Sequence, residues 1–294
     1  MKTEEEYYAE LEKRETAEDR AIDKDCRRYH AEKDNIIDQY EQVVKINKQK
    51  NKLIIGDLHG NWYGLQSILD QINYTANKWS LIFTGDYIDG IADDTFDAKK
   101  TIEIIINLQK ENNDIYPILG NHDEWMRQWI IQKKILPMDI WYYQGGEQTL
   151  SCYNITEPLV YNNCKSLIPK NHINFLMNLL PSYIDEHIVV VHGGFSFVNE
   201  HEQYDDMSIV KNGSFNDNIL WDREFYNTTD DILLNQYKKV FGNRIFVCGH
   251  TPTGPEVHYN PKRILIDGGS KGGGSLHAII VDQNNTIGNI IKEK

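Results

Sequence analysis

The sequence has no long hydrophobic run and little cysteine. Its apolar runs, such as Ile188 to Val191, are far shorter than the roughly 20 residues of a membrane-spanning helix. The acidic start, MKTEEEYYAE, lacks the apolar stretch of a secretory signal. The 4 cysteines show no CxxC or zinc-finger spacing, so reduced cysteines are expected rather than a disulfide framework. We therefore expect a protein that contacts no membrane and stays in the cytoplasm.

Positive charge is also scarce. Lys and Arg total 31 against 44 Asp and Glu, which gives a net charge of -13 at pH 7. This balance disfavours a protein that holds nucleic acid through its phosphates. A small local anion site is still compatible with it, because bound metal ions can supply positive charge where it is needed.

The first 48 residues differ from the rest of the chain. They contain no Gly or Pro and mix acidic and basic residues densely. Pairs such as Glu10/Arg14 and Asp23/Arg27 stand at the i, i+4 spacing of a helix surface. We predict a charged helical extension over residues 1–48 that docks its last turns on a domain covering residues 49–294. The alternative is an oligomerisation or partner helix, which the lack of a sustained heptad disfavours.

From about residue 51 the chain alternates short apolar strands with polar turns. LIIGDLHG, LIFTGDYIDG, IYPILGNHD, IVVVHGG and IFVCGHTP all have this form. Helices are predicted over Trp62 to Ile72, Thr95 to Gln109, Glu124 to Lys133 and Asn171 to Leu180. In such α/β folds, sites form beyond the carboxyl ends of the strands. The tail segments RILIDGG, SLHAIIVD and TIGNIIK predict consecutive strands with antiparallel pairing. The fold class is therefore α/β (α+β), a mixed β-sandwich flanked by helices.

The strand-end turns carry a recurring set of polar side chains. Asp or Asn after Gly is common in any turn, and a lone His usually has a structural role, so no single residue here is strong evidence. Five successive turns with the same chemistry at one sheet edge are stronger evidence. Carboxylate, imidazole and amide oxygen together suit divalent ions such as Mn, Fe or Zn. The set contains Asp57, His59, Asp86, Asp89, Asn121, His122, His192 and His250.

The blocks GDLHG, GDYID, GNHD, HGG and GHT resemble the signature of the calcineurin-like metallophosphoesterases. Their order and spacing are most similar to the phosphoprotein phosphatase branch, especially the bacterial and bacteriophage lambda-type serine/threonine protein phosphatases. GGEQTL, LLPSYID, LWDREF and LIDGGS match the same pattern in order. The resemblance covers roughly residues 51–283.

The resemblance implies a role for each matched residue. His122 would be the general acid that protonates the leaving oxygen, and Asp89 would orient it. Arg223 and Asn121 would bind substrate, with the Arg223 guanidinium on the phosphate oxygens. Asp86 would bridge two metal ions. The full set of implied metal ligands is Asp57, His59, Asp86, Asn121, His192 and His250.

The cofactors implied are two divalent ions, Mn²⁺ first, with Fe or Zn as alternatives. Ions about 3.5 to 4 Å apart lower the pKa of a shared water and clamp the attacking and leaving oxygens in line. The expected function is a serine/threonine protein phosphatase that uses a metal-bridging hydroxide for in-line attack on phosphorus. The alternative is hydrolysis of small phosphorylated molecules, such as dinucleoside polyphosphates or nucleotides. A non-catalytic binding module is disfavoured, because it would not need His122, Asp89 and Arg223 together.

Two positions depart from the family pattern. Gly90 stands where many relatives of the GDYVDRG type have arginine, so one phosphate-binding arginine is missing and a wider pocket floor is expected. That space would favour the small-molecule alternative. Asp123 stands where protein phosphatases have Glu, which also puts the substrate in question. Arg127, Lys99, Lys100 or Lys271 could replace the arginine, although charges near a motif are more often solvated surface groups.

Overall fold

The computed structural model describes residues 50–91, 94–132, 140–155, 167–194, 218–223, 226, 234–235, 238, 241–260 and 263–294. Within these ranges the chain forms two five-stranded mixed sheets and six α-helices. The predicted helical extension over residues 1–48 lies outside the described residues, so it stays a prediction. Among the described helices, none is long and apolar enough to cross a membrane.

The elements follow the alternation predicted from the sequence. In chain order they are β1 (Asn51–Ile55), α1 (Trp62–Gln71), β2 (Trp79–Phe83), α2 (Ala98–Glu111), β3 (Ile115–Pro117), α3 (Asn121–Gln132), a π-helical turn (Tyr142–Gly146), α4 (Glu147–Cys152), α5 (Lys170–Met177), β4 (Tyr183–Ile184), β5 (Ile188–Val191), α6 (Asn218–Trp221), β6 (Ile245–Cys248), β7 (His258–Asn260), β8 (Arg263–Leu265), a 3₁₀ turn (Ser270–Gly272), β9 (His277–Val281) and β10 (Ile287–Lys292).

The two sheets each contain a parallel centre. In the first sheet the order is β10-β9-β1-β2-β3, with β1, β2 and β3 parallel and β9 antiparallel to β1. In the second the order is β4-β5-β6-β8-β7, with β5, β6 and β8 parallel and antiparallel strands at both edges. The predicted mixed β-sandwich flanked by helices is confirmed.

The predicted pairing of the tail strands is partly wrong. β9 and β10 pair antiparallel as expected. β8, the RIL of RILIDGG, instead lies in the second sheet between β6 and β7. The glycine-rich segment that follows carries the chain from one sheet to the other, so neighbours in sequence are not neighbours in space. The short edge strand β7 has no clear signal in the sequence.

The strand side chains alternate between different core layers. In β1, Leu53 and Ile55 pack on the helical side of the first sheet, whereas Ile54 belongs to the layer shared with the second sheet. In β5, Val190 joins that shared layer and Val189 packs on the outer face of the second sheet. Burial of each such aliphatic side chain contributes about 1.5–3 kcal/mol. The period of two explains why these continuous apolar runs are strands buried on both faces.

Helix ends follow from local capping. α2 begins at Ala98, three residues later than predicted, because the Asp97 carboxylate accepts the Lys100 N–H at 2.9 Å and caps the first turn. α3 begins at Asn121, three residues earlier than predicted, with Asp123 and Glu124 in its first turn, where the helix dipole favours negative charge. This early start places Asn121 and its neighbours at the strand-end edge of the first sheet.

Candidate metal centre

The five strand-end turns meet at one edge, as the sequence predicts. Backbone hydrogen bonds join them directly: the His59 N–H donates to the Asp86 carbonyl at 2.7 Å. The Gly249 N–H donates to the His192 carbonyl at 2.8 Å. The His250 N–H donates to Asp57 Oδ2 at 2.7 Å, which links turns from different sheets. The site therefore bridges the two halves of the sandwich.

Four site residues have left-handed backbone conformations that L-amino acids rarely adopt. The φ angles are 47° at His59, 51° at Asp86, 67° at Asp89 and 64° at His250. Each such residue costs on the order of 1 kcal/mol or more, and such strain clusters at functional sites. The turns thus give up stability to direct these side chains into the site.

His59 and Asp86 form the first part of the cluster. The His59 Nδ1–H faces the carbonyls of Ile88 and Asp89 at 2.9 and 3.1 Å. A neutral imidazole that donates from Nδ1 has its lone pair on Nε2, and His59 Nε2 lies 3.5 Å from Asp86 Oδ2. Burial lowers the pKa of His59 well below its usual value, which favours this neutral form. A backbone carbonyl on the far nitrogen is the usual way of orienting a metal-binding histidine.

His192, Asn121 and His250 form the second part. The His192 Nδ1–H donates to the Thr84 carbonyl at 2.9 Å, so its Nε2 lone pair faces Asn121 Oδ1 at 2.8 Å. Asn121 Oδ1 is also 2.9 Å from His250 Nδ1. His250 Nε2 is buried and has no hydrogen-bond partner among the described residues. Two acceptors that face each other, beside an unpartnered buried nitrogen, fit a bound cation.

Asp86 belongs to both parts. Its carboxylate lies 3.4 Å from His192 Nε2 as well as near His59. Two groups offer ligand atoms within 4.8 Å of one another: His59, Asp86 and His122, and Asp86, His192 and His250. Asp57 belongs to neither group; its two oxygens accept from Thr84 Oγ1 and the His250 N–H at 2.6 and 2.7 Å. Its predicted role as a metal ligand stays a prediction.

The carboxylates of the site repel one another. Burial raises the pKa of Asp57 well above its usual value, and the nearby Asp267 raises it further. Burial and then Asp123 likewise raise the pKa of Asp86. Several buried carboxylates in one place require positive charge to ionise together, and divalent ions would provide it.

His122 and Asp89 form the predicted pair. His122 Nδ1 lies 2.7 Å from Asp89 Oδ2, which also accepts the Trp141 Nε1–H at 2.6 Å. Thr149 Oγ1 donates to Asp89 Oδ1 at 2.6 Å. Burial raises the pKa of Asp89 to about 8, whereas the donors Thr149 and Trp141 and the charge of Lys271 oppose the increase. The imidazole is therefore held by a carboxylate that two further donors, Trp141 and Thr149, fix in place.

A cavity of about 610 Å³ opens over the cluster. Arg223 lines it, and its Nη1–H groups donate to the His250 carbonyl at 2.9 Å and to Thr251 Oγ1 at 3.0 Å. The predicted acid His122 and the predicted substrate residues Asn121 and Arg223 all line this cavity.

The two departures from the family pattern have structural explanations. The Asp123 carboxylate is fully buried and accepts the backbone N–H groups of Asp86, Tyr87 and Gly120 at 2.8 to 3.0 Å. It therefore joins two ligand turns and does not line the cavity. The expectation that Asp123 bears on substrate choice is not supported.

Gly90 does not widen the cavity. A Cβ at Gly90 would overlap the His59 carbonyl oxygen and come within 2.7 Å of the Phe96 ring. Gly90 is not among the cavity-lining residues. The backbone of this turn is packed too tightly for any side chain, so the expected wider floor is wrong.

Several residues of the site were not singled out from the sequence. Asp267 is buried and lines the cavity, and it follows β8 in the same strand-end pattern that identified the other carboxylates. Trp125 and Trp221 also line the cavity, with ring centroids 5.1 Å apart. Gln144, in the π-helical turn, faces the same space. The tryptophans and Gln144 belong to no strand-end pattern, so only the folded arrangement reveals them.

The model of the calcineurin-like phosphoesterase family matches residues 51–275. The chain belongs to this family. These proteins are metal-dependent phosphoric ester hydrolases, the class that the strand-end turns predict. The branch within the family stays a prediction.

Part of the chain also matches curated relatives in sequence. The chain is 34% identical over 87 residues to a symmetrical bis(5'-nucleosyl)-tetraphosphatase of Actinobacillus pleuropneumoniae serotype 5b, a match that spans 29% of this chain and 30% of the relative. The Haemophilus ducreyi protein of the same name is 31% identical over 87 residues, again 29% and 30% of the two chains.

Two solved structures have a similar fold. A candidate diadenosine tetraphosphatase superposes with a TM-score of 0.53 at 17% identity, over 84% of this chain and 96% of the other. A serine/threonine phosphatase from Saccharomyces cerevisiae superposes with a TM-score of 0.50 at 15% identity, over 84% and 81%. At these identities the likeness concerns the fold alone.

Proposed function

We propose that this chain is a two-metal phosphomonoesterase. The observation that carries this proposal is the position of Asp86, whose carboxylate belongs to both groups of converging ligand atoms. A carboxylate shared between two imidazole-containing groups is suited to bind two ions and to offset their mutual repulsion.

The ions would be held by the residues predicted from the sequence. His59, Asp86 and Asp57 would hold one ion, and Asp86 would share the second with the group formed by Asn121, His192 and His250. Mn²⁺ is the first candidate and Fe or Zn the alternatives, because this donor set accepts all three. Divalent ions bound here would supply a water of lowered pKa and positive charge for the phosphoryl oxygens.

His122 would act as the general acid. His122 lines the cavity, its Nδ1 is 2.7 Å from the Asp89 carboxylate, and its Nε2 contacts Lys271, another lining residue. As the bond between phosphorus and the leaving oxygen breaks, the Nε2 proton would pass to that oxygen. The donors Trp141 and Thr149 favour the charged form of Asp89 and keep the carboxylate in place, and in that form Asp89 would stabilise the imidazolium before transfer.

Arg223 would bind the phosphate group. Its Nη1 is anchored on the His250 carbonyl, and the residue lines the cavity. A planar guanidinium can donate to two phosphate oxygens at once, which a lysine cannot copy. The anchor limits the conformational entropy that Arg223 loses when substrate binds.

The first substrate class proposed is phosphoserine or phosphothreonine in proteins. The second is a dinucleoside polyphosphate, which the names of the sequence relatives support. The tryptophan pair supports it independently. Trp125 lies 4.9 Å from His122 between ring centroids, so the leaving group protonated by His122 would lie near an aromatic surface. A nucleobase is a planar group of the kind that such a surface binds.

A substrate panel tests the proposal. The full chain loaded with Mn²⁺ is assayed on a phosphoserine peptide, an aryl phosphate, a phosphodiester and a dinucleoside tetraphosphate. Turnover of the peptide and the aryl phosphate above the phosphodiester supports a phosphomonoesterase. A large preference for the tetraphosphate would replace the protein substrate by the second class. No turnover with Mn, Fe or Zn would contradict the proposed function.

A matched variant tests whether the tryptophan pair binds the leaving group of the substrate. Trp125→Leu keeps an apolar side chain and removes the ring. If the rings bind an aromatic leaving group, KM rises for the dinucleoside tetraphosphate and the aryl phosphate but not for a small alkyl phosphate. Equal changes in KM for all three substrates would mean that the rings only support the fold.

A further inference from the structure

Lys271 is the second cationic side chain of the cavity, after Arg223. It lies in the 3₁₀ turn Ser270–Gly272, between Gly269 and Gly273, whose φ angles of 84° and 79° are left-handed. The Gly274 N–H donates to the Gly269 carbonyl at 2.9 Å and closes the loop. The backbone conformation of this loop therefore sets the position of Lys271 at the cavity.

The ammonium of Lys271 contacts two neutral acceptors. Nζ lies 3.1 Å from His122 Nε2 and 3.1 Å from Gln144 Oε1. The carboxylates of Asp86, Asp89 and Asp267 act on it electrostatically from farther away. Burial lowers the pKa of Lys271. A half-buried ammonium without a carboxylate in its two contacts is suited to an anionic partner.

The contact with His122 is incompatible with the proposed chemistry. An ammonium can only donate, so His122 Nε2 accepts and carries no proton while Lys271 is bound to it. As general acid, His122 must carry a proton on that same nitrogen. Lys271 must therefore donate to another acceptor when the reaction proceeds, and a phosphate dianion beside His122 is a stronger acceptor than a neutral imidazole.

Lys271 and Arg223 lie beside different parts of the ligand cluster. Arg223 is anchored beside His250, near the group formed by Asp86, His192 and His250. Lys271 lies beside His122, near the group formed with His59 and Asp86. Each ligand group therefore has one cationic side chain beside it. The packed turn at Gly90 cannot carry a third.

We infer that Lys271 binds the phosphate of the substrate, exchanging its hydrogen bond with His122 Nε2 for one with a phosphate oxygen. This inference rests on the proposed function, since it concerns the same cavity. It assigns Lys271 two roles: to hold the anion and, by leaving Nε2, to let His122 hold the proton that the leaving oxygen takes.

The test compares three variants of the full chain: Lys271→Met, Lys271→Arg and, as a matched control, Lys110→Met. Lys110 is an exposed lysine of α2 whose Nζ donates to Asn107 Oδ1. For each variant the Mn content, the kcat/KM for an aryl phosphate and the Kd for inorganic phosphate are measured on the Mn-loaded protein.

The expected result for Lys271→Met is a Kd for inorganic phosphate weaker by about tenfold and a lower kcat/KM, at unchanged Mn content. Lys271→Arg is expected to recover part of the phosphate affinity, and Lys110→Met to match the wild type. A lysine that only positions His122 would lower kcat and leave the phosphate Kd unchanged. That result, or loss of Mn in Lys271→Met, would overturn the inference.

Different measurements test the role of Lys271 and the proposed function. If the wild-type chain hydrolyses none of the phosphate esters, the proposed function fails. The phosphate Kd of Lys271→Met still decides the inference in that case. If the wild type is active and Lys271→Met keeps the wild-type Kd and kcat/KM, only the inference fails.

Discussion

Two regions of the site differ in how they are built. The ligand cluster, defined as Asp57, His59, Asp86, Asn121, His192 and His250, comes from the ends of strands and is buried throughout. The cavity rim, defined as Trp125, Ile140, Gln144, Trp221, Arg223 and Lys271, comes from helices and turns. Ile140 and Trp221 of the rim are 60% and 42% exposed.

We propose that the cluster carries the chemistry and the rim the choice of substrate. Three cluster side chains are oriented by backbone groups: His59 donates to the Ile88 carbonyl, His192 donates to the Thr84 carbonyl, and Asp57 accepts the His250 N–H. Rim side chains come from other elements and meet at the cavity: Trp125 packs against Trp221, and Arg223 reaches the site through the His250 carbonyl. Within such a family, we therefore expect the reaction to be set by the cluster and the substrate by the rim.

The largest loss of turnover is expected for His122, which lies at the boundary of the two regions. His122→Asn removes the proposed acid and keeps a polar side chain on α3. Turnover of an alkyl phosphate, a poor leaving group, should fall by about 10²- to 10⁴-fold, while Mn content stays unchanged. An aryl phosphate, whose leaving group needs little protonation, should lose less.

The measurement is steady-state kinetics on both esters with metal analysis of the same samples. Asp70→Asn, an exposed substitution on α1, serves as the control and should behave as the wild type. Full activity of His122→Asn on the alkyl phosphate would remove His122 from the chemistry. Loss of Mn would instead assign it to the metal, where its position in the first ligand group also allows it.

An intermediate effect is expected in the rim. Arg223→Ala removes a charged donor to phosphate, and such contacts contribute about 1.5–3 kcal/mol. We expect kcat/KM for a phosphomonoester to fall by about 10- to 100-fold without loss of Mn. Arg223→Lys should recover only part of the loss, because it cannot donate in parallel to two oxygens. Loss of Mn in Arg223→Ala would mean that Arg223 supports metal binding, and it would contradict the separation of cluster and rim.

The smallest effect concerns a residue that supports the cluster from behind. Burial raises the pKa of Asp123 in the folded protein to about 7, against roughly 3.9 in an unfolded chain. The folded state therefore keeps a proton that the unfolded state has lost. The stability contributed by this group is fully present below about pH 4 and is lost as pH rises through about 7.

Comparison of the wild type with Asp123→Asn isolates this effect. The free energy of unfolding of the metal-free proteins is measured by urea denaturation at pH 6 and pH 8. The wild type should lose about 1 kcal/mol more than the variant between the two values. An equal loss in both proteins would mean that Asp123 is ionised throughout, held by its three backbone donors.

Much of the cluster could be predicted from the sequence because its signal is local. A strand end followed by Gly and a polar residue recurs, and parallel strands bring their carboxyl ends to one edge. The turn residues from Asp57 to His250 follow from that pattern together with the family resemblance. The same logic would have found Asp267, which follows β8, had the tail been assigned to the second sheet and not to an antiparallel run.

The rim could not be predicted, because its residues meet only through packing between distant elements. Trp125 on α3 and Trp221 on α6 have no shared motif and are brought together by the fold. At Gly90 the sequence carries a local signal, but the prediction drawn from it is wrong. As a motif change it indicated extra space, whereas the backbone at His59 and the Phe96 ring fill that space.

A titration of the metal-free full chain with Mn²⁺ shows whether turnover requires two bound ions. Bound Mn and turnover of an aryl phosphate are followed together, in the wild type and in Asp86→Asn. The two-metal account predicts two ions per wild-type chain, turnover that reaches its maximum only with the second, and loss of at least one ion and of turnover in Asp86→Asn. Full turnover with a single ion, or two ions and full turnover in Asp86→Asn, would contradict it.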